Sequence, residues 1–507
     1  MNFAQAGIPK KLYNYIIVLF LITLFLRIVL IGYYNNNLGG IETNVVYGIQ
    51  RILLGQPLYQ DPGSNTYAVI QYTPLYYCFT AAIAKLTRIN GLDVQGIYTI
   101  CRILAIAFNL LTIVIVALII RTWKFSWWQS FVFALPVLII LTSHYYTRGD
   151  SMHLFFFTAA LYSYILYSKK EKLQYIIITA FLSAACFMAK QSGILVIGII
   201  GAFLLFSERK YLMAVLYTVS TVIFACIIAW LCINGAWEAF YQNAYLGLKN
   251  GTDFSFLYNI FISQFYTDMV LCYILGGIIA YSAIKEIRDK PFRILAAGVA
   301  LSWLFAVVTG LKNGSCNNYF IEFLLLVIIT LPRILQSPVS NNVLARIFGH
   351  SVTIHRFACI ALFILVSSKT AGFFTAVYID KNIKNNSAEY ANEKALYDYF
   401  KNELKIKKHE HILFTERNFL DNIFIEYSIM PTKDVVSETY LANNTTFNYS
   451  AFASGMNNGL IKYIVTDEKK KDMNRWNKEI PFMLFDKNKF RWLGDKCGYS
   501  IYVYTPG

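Results

Sequence analysis

Residues 14–34 read NYIIVLFLITLFLRIVLIGYY, and Arg27 is the one charged residue in the run. At 1.5 Å rise per residue, a helix of this length matches the ~30 Å hydrocarbon core of a bilayer. The run has no small-residue cleavage site behind it, so it reads as a retained first span and not as a signal peptide. Runs of the same kind recur near 97–120, 128–143, 151–168, 173–189, 191–206, 211–233, 267–284, 292–310, 317–335 and 355–378. The expected fold is a polytopic α-helical membrane protein of about eleven transmembrane helices over residues 1–379. A small soluble extracytoplasmic α/β domain is expected over residues 380–507.

Composition agrees with lipid as the main solvent. Of 507 residues, 57% are hydrophobic and 15% charged, where soluble chains carry about 25% charge. The 37 Tyr and 39 Phe suit a chain with many interfacial ring positions. The net charge is +16, with 26 Lys/Arg against 12 Asp/Glu in residues 1–379 and 19 against 17 in 380–507. A basic excess confined to the membrane part signals topology and argues against nucleic acid as a partner. With Lys10 and Lys11 inside, the loops at Arg121/Lys124, Lys169–Lys172, Glu208–Lys210, Lys285–Arg293 and Arg333–Arg356 all fall on the cytoplasmic side. Together with Lys10 and Lys11 they hold 16 of the 26 cations and four acids, as the positive-inside bias requires. The odd number of spans then puts the C-terminal domain outside, and the expected location is a bacterial inner membrane.

The nine cysteines are odd in number and contain no C-x-x-C pair, so they read as small core residues. Cys316 and Cys497 share the oxidising side of this topology, without a feature that demands a bridge.

One outer loop, 35–96, is long enough to be functional. Its segments Asn44–Leu54 and Pro74–Leu86 read as helices lying along the membrane surface, separated by Gly55-Gln-Pro and Asp61-Pro-Gly turns. In the tail, Glu389–Leu404 reads as an amphipathic helix, and Ile412–Thr415, Ile461–Thr466 and Tyr499–Tyr504 read as strands. His409-Glu-His411 reads as a solvated loop. Asn443-Asn-Thr and Asn448-Tyr-Ser fit glycosylation sequons.

Ionisable groups at membrane depth are expensive, so they are candidates for function. The outer-side carboxylates are Glu42, Asp61, Asp93, Asp150, Glu238, Asp253, Asp268 and Glu322. Glu42 is either a helix-start carboxylate favoured by the helix dipole or a general base at the lip of a cavity. Asp150, in Thr147-Arg-Gly-Asp-Ser, is either a local partner of Arg148 that caps a helix or a functional acid. His144 and His153 flank it, which makes Asp150 and His153 weak candidates for a divalent metal, the one possible cofactor. Lys190 and Lys312 either snorkel to the interface or join Arg148 in holding a lipid phosphate or pyrophosphate.

Gly40-Ile-Glu42, followed by Val46-Tyr-Gly-Ile-Gln-Arg-Ile-Leu-Leu-Gly-Gln-Pro-Leu-Tyr-Gln-Asp, resembles the first outer loop of GT-C-fold glycosyltransferases. These are polyprenyl-phosphate-sugar-dependent enzymes that include protein O-mannosyltransferases and the lipid A aminoarabinose transferase. Tyr72-Thr-Pro-Leu-Tyr-Tyr77 is similar to their Pro-Pro-Leu-Tyr-Tyr segment. Arg148-Gly-Asp150, Lys190-Gln-Ser-Gly and Gly314-Ser-Cys-Asn-Asn-Tyr-Phe-Ile-Glu322 look like features of bacterial members. The resemblance covers roughly residues 1–380.

It implies Glu42 as catalytic base, with Asp150 orienting sugar hydroxyls or binding a metal. Tyr72 and Thr73 stand where the family often has a Lys, so phosphate binding would fall to Arg148, Lys190 or Lys312, with Tyr72, Asn317 and Glu322 as further substrate contacts. The implied partners are a polyprenyl-phosphate-sugar donor lipid and a glycan, lipid or protein acceptor. The implied reaction is an inverting transfer to an acceptor hydroxyl. The alternative is a polytopic transporter or lipid-linked-saccharide flippase. Such proteins usually carry inverted repeats and broken helices at the midplane; the sequence has no evident repeat, and its polar residues collect on one face.

Overall fold

A computed structural model describes residues 10–32, 42–64, 66–141, 147–249, 251–255, 257–258, 269–285, 289–312, 317–336, 354–375, 383–415, 420–433, 436, 447, 450–456, 458–467 and 487–506. Gly39, Gly40, His144, Asp268, Cys316 and the asparagines of both sequons lie outside them.

In chain order the helices are α1 (Lys10–Ile31), α2 (Glu42–Leu53), α3 (Leu75–Leu86), α4 (Val94–Arg121), α5 (Trp127–Ala134), α6 (Pro136–Leu141), α7 (Asp150–Lys170) and α8 (Leu173–Ala189). They continue with α9 (Ile194–Ala202), α10 (Tyr211–Ile233), α11 (Trp237–Ala244), α12 (Met269–Lys285), α13 (Lys290–Gly310), α14 (Ile321–Leu335), α15 (Ile354–Phe374) and α16 (Ile383–Asp398). Lys11–Ile31, Val94–Arg121, Tyr211–Ile233, Lys290–Gly310 and Asn318–Leu335 are long and apolar enough to cross a membrane. On α10, Leu212 is 75% exposed, Trp230 67% and Leu231 68%. Apolar faces this open are stable in lipid and not in water. The chain is an integral membrane protein.

The chain divides into two compact units. The first is Met1–Ile31, Ile103–Leu231 and Thr252–Asp380; the second is Gly32–Arg102, Cys232–Gly251 and Lys381–Gly507. The tail thus shares its unit with the first outer loop.

In the first unit, local chemistry sets the helix ends. Ser126 and Gln129 form a reciprocal capping box on α5. Asp289 caps α13 by accepting from the Phe292 N–H at 3.1 Å, with Pro291 in the first turn where its missing N–H costs nothing. α7 stops at Glu171, which is left-handed at φ 53°, and α8 returns alongside it. α1 packs on α15 through a Tyr15–Phe363 stack at 4.7 Å and a Tyr15–Ser367 hydroxyl pair at 2.7 Å.

The second unit is built on a four-stranded sheet of β1 (His411–Phe414), β2 (Ile461–Asp467), β3 (Phe490–Lys496) and β4 (Tyr499–Tyr504), in the order β1-β2-β4-β3. β1 runs parallel to β2, and the other pairs are antiparallel. Side chains alternate across the sheet with period two. Leu413, Ile464 and Tyr502 pack on one face with Tyr67 and Val69 from the first outer loop. Ile412, Phe414, Tyr463, Val465 and Ile501 pack on the other with Leu396 and Phe400. Burial on both faces explains why the central strands read as nearly continuous apolar runs.

The loop chain is also tied by hydrogen bonds. The Tyr67 N–H donates to the Ile429 carbonyl at 2.9 Å, and the Val69 N–H to the Thr432 hydroxyl at 2.7 Å. The α2 helix is held by Gln50, which donates to the Asn422 carbonyl at 2.9 Å and accepts from the Asn422 amide at 3.0 Å.

Three expectations for this unit need correction. His411 opens β1 and is half-buried, so it is not in a solvated loop. The tail helix begins at Ile383 and ends in a wide turn, Tyr399–Glu403. β3 was not expected from the sequence: its Arg491, Trp492 and Leu493 are exposed at the sheet edge, so it lacks a buried apolar stripe. It is fixed by the two-residue hairpin at Cys497 (φ 55°) and Gly498 (φ 83°), where both positive φ values match the twist of the strands.

Candidate active site

The first unit holds a buried ionic cluster at the N-terminal end of α7. Asp150 opens that helix, and its side chain is 2% exposed. Lys190 Nζ meets Asp150 Oδ1 at 2.5 Å, and Arg148 Nε lies 3.3 Å from Oδ2. α7 and α8 are antiparallel, so the residue after α8 returns to the level at which α7 begins. Lys190 is extended (φ −161°, ψ 139°), which breaks the helix and lets its chain turn inward. The break depends on Gly193, where an added Cβ would lie 2.4 Å from the Phe187 nitrogen.

One turn into α7, His153 Nε2 meets Glu322 Oε1 of α14 at 2.9 Å. Its Nδ1 is 3.3 Å from the Cys186 sulfur, and the Ser192 hydroxyl is 3.4 Å from Nε2. Asp150, His153 and Glu322 are each at most 2% exposed. Burying charge costs several kcal/mol per ion unless partners repay it, which is why the carboxylates here are held by cations and an imidazole.

Glu42 belongs to the second unit. It is the first residue of α2 and fully buried, and residues 43–51 behind it are buried too. The Tyr76 and Tyr98 side chains lie near Glu42, and Arg102 and Glu393 lie near the same Tyr98. The Arg102 guanidinium carbon lies 5.3 Å from the Tyr98 ring centre.

Burial sorts the candidate carboxylates. Among the described ones, Glu42, Asp150 and Glu322 are buried, while Asp61, Asp93, Glu238 and Asp253 are exposed. The structure joins Arg148 and Lys190 on Asp150, and His153 on Glu322. Lys312 sits just past α13, its backbone bridged to Thr252. The Tyr72 carbonyl accepts from the Tyr59 hydroxyl at 2.7 Å. Asn317 begins a short 3-10 turn before α14, and its side chain is outside the described set. Arg102 was missed by the sequence reading, although it is 2% exposed; a scan of apolar runs for cations as well as carboxylates would have found it.

No group of three or more His, Cys, Asp or Glu side chains able to hold a metal occurs among the described residues. Asp150 and His153 are engaged by Lys190, Arg148 and Glu322, and this donor set does not fit a metal.

No protein-family model matches the chain, and no curated protein matches it by sequence. Solved structures do. ArnT from Cupriavidus metallidurans in the apo state superposes at TM-score 0.60 and 10% identity, over 97% of this chain and 98% of that one. The same protein bound to undecaprenyl phosphate gives 0.57 at 10% identity, over 96% and 98%. The Archaeoglobus fulgidus oligosaccharyltransferase, in complex with zinc and sulfate, gives 0.54 at 15% identity, over 96% of this chain and 73% of that one. ArnT and the oligosaccharyltransferase have the GT-C fold, and this chain has it too.

Proposed function

We propose that the chain is a glycosyltransferase that moves a hexosyl or pentosyl group from a polyprenyl-phosphate-linked donor to an acceptor hydroxyl on the extracytoplasmic face. The observation that carries this reading is a GT-C fold matched over nearly the full chain, one match being to a protein bound to undecaprenyl phosphate. In this reading about eleven of the helical segments cross the membrane. The N-terminus is cytoplasmic, the tail extracytoplasmic, and the membrane a bacterial inner membrane.

The acceptor is a glycan, lipid or protein. Its hydroxyl oxygen attacks the anomeric carbon, and the proton passes to the Glu42 carboxylate. The bond from that carbon to the phosphate oxygen breaks, its electron pair leaving with the polyprenyl phosphate, and the anomeric configuration inverts. Arg148 and Lys190 stabilise the charge that grows on the phosphate. Lys190 is the more accessible of the two, at 14% side-chain exposure, so it is the one that exchanges Asp150 for phosphate. Asp150 holds both cations in place until the donor arrives, and then orients sugar hydroxyls. Lys312, Tyr72, Asn317 and Glu322 are the further substrate contacts of this reading. No step passes through a metal.

The test is a panel of radiolabelled polyprenyl-phosphate sugars offered to the purified protein with native lipid extract as acceptor. Transfer with inverted anomeric configuration supports the proposal. Folded protein that consumes no donor across the panel contradicts it and favours the transporter reading.

A further inference from the structure

The first unit has a cavity well away from the Asp150 cluster. It has a volume of about 620 Å³ and lies where α4, α7, α13 and α14 present the ends at Trp123, Lys169, Lys290 and Arg333. Asp150 and Lys169 are at opposite ends of α7, a helix of 21 residues, so the two sites are separated by about 30 Å.

Four cations line this cavity: Lys124, Lys169, Lys290 and Arg333. Its one carboxylate among the described residues, Asp289, has both oxygens engaged. One accepts from Arg333 Nε at 2.7 Å and the other from the Phe292 N–H that starts α13. Lys169 is turned to the Thr122 carbonyl at 3.1 Å, a neutral partner. Lys290 lies 3.8 Å from Glu208, which Lys210 shares at 3.4 Å. Lys124 has no side-chain partner among the described residues. Among the described residues, the cavity therefore carries more positive charge than its own groups balance.

Positive-inside topology explains why cations lie at this end of the bundle. It does not explain why four of them, from four helix ends, converge on one concavity instead of facing outward. The N-terminus of α13 adds its positive dipole to the same wall.

We infer that this cavity is a phosphate-binding site, separate from the transfer chemistry and on the opposite side of the membrane. Its volume is within the range of small-ligand sites, and its rim is at membrane-surface level, where basic pockets between transmembrane helices take lipid head groups. The ligand chemistry is a phosphate mono- or diester, supplied either by an anionic lipid of that leaflet or by a soluble phosphate. The inference does not depend on the glycosyltransferase reading.

The test uses the full chain in phosphate-free maltoside micelles, titrated separately with short-chain phosphatidylglycerol and with inorganic phosphate. Binding is read by native mass spectrometry and by thermal shift. The variants are Lys124→Gln/Lys169→Gln in the cavity and Arg209→Gln/Lys285→Gln, exposed cations outside its lining. The cavity pair should weaken binding by ~10-fold or more, since each basic group near a lipid surface contributes about 1 kcal/mol. The control pair should leave it nearly unchanged. Response to phosphatidylglycerol alone identifies a lipid ligand, and response to inorganic phosphate identifies a soluble one. Response to neither overturns the inference, as does equal weakening by both pairs, which would mark a diffuse surface charge.

Discussion

At the residue scale, Asp150 is the position where burial and charge press hardest. Its single carboxylate pairs with both Arg148 and Lys190 at 1% exposure. Asp150→Asn leaves the buried Arg148 and the part-buried Lys190 short of their counter-charge, which is expected to cost about 3 kcal/mol. Thermal unfolding of the solubilised protein measures this. Adding Lys190→Met to the same chain should recover part of the loss, because the two side chains share one interaction. If the double variant is no more stable than Asp150→Asn, the Lys190–Asp150 contact does not carry the energy assigned to it. Sequence alone named both residues but not their pairing. Asp150 and Lys190 are forty positions apart, and only the antiparallel return of α8 beside α7 brings them together.

At the element scale, β1 contains the clearest pH-sensitive group outside the membrane helices. Burial lowers the pKa of His411 below its usual 6.5. The folded state thus resists the proton that the unfolded chain accepts. Stability is fully present above about pH 6.5 and is lost as pH falls below it, until the folded imidazole also protonates. Amide exchange of the β1 strand, followed from about pH 8 to about pH 5, should show protection falling in that window, and His411→Phe should flatten the profile. A pH-independent profile in the unsubstituted protein contradicts the assignment. The three strands with buried apolar stripes were legible from sequence, as were the long apolar helices, because their side-chain periods report burial directly. β3 was not legible, since an edge strand with a polar outer surface looks like a loop. His411 was misread for a related reason: a charged-looking His-Glu-His string hides a strand start whose partner, Ile461, is fifty residues away.

At the scale of the whole molecule, the first outer loop and the tail act as one folded body. Tyr67 and Val69 fill one face of the tail's sheet, and Gln50 and Asn422 exchange paired hydrogen bonds. A chain that ends before Ile383 would expose those apolar side chains and leave Gln50 buried with a donor unsatisfied, each at a cost of about 1–3 kcal/mol. Limited proteolysis should then cut within residues 66–73, a segment buried or half-buried in the full chain; equal resistance in both chains would refute the shared body. Composition marked the tail as different from the membrane part, but contacts between residues more than 350 positions apart leave no local signature. The central claim is that this molecule transfers sugar with Glu42 as the base, and it is tested most directly by donor turnover in Glu42→Gln against the unsubstituted protein. The expected result is a loss of about 10²–10⁴-fold in transfer rate, with the variant folded and still binding the donor lipid. Unchanged turnover in folded Glu42→Gln would contradict it and move the base to Asp150.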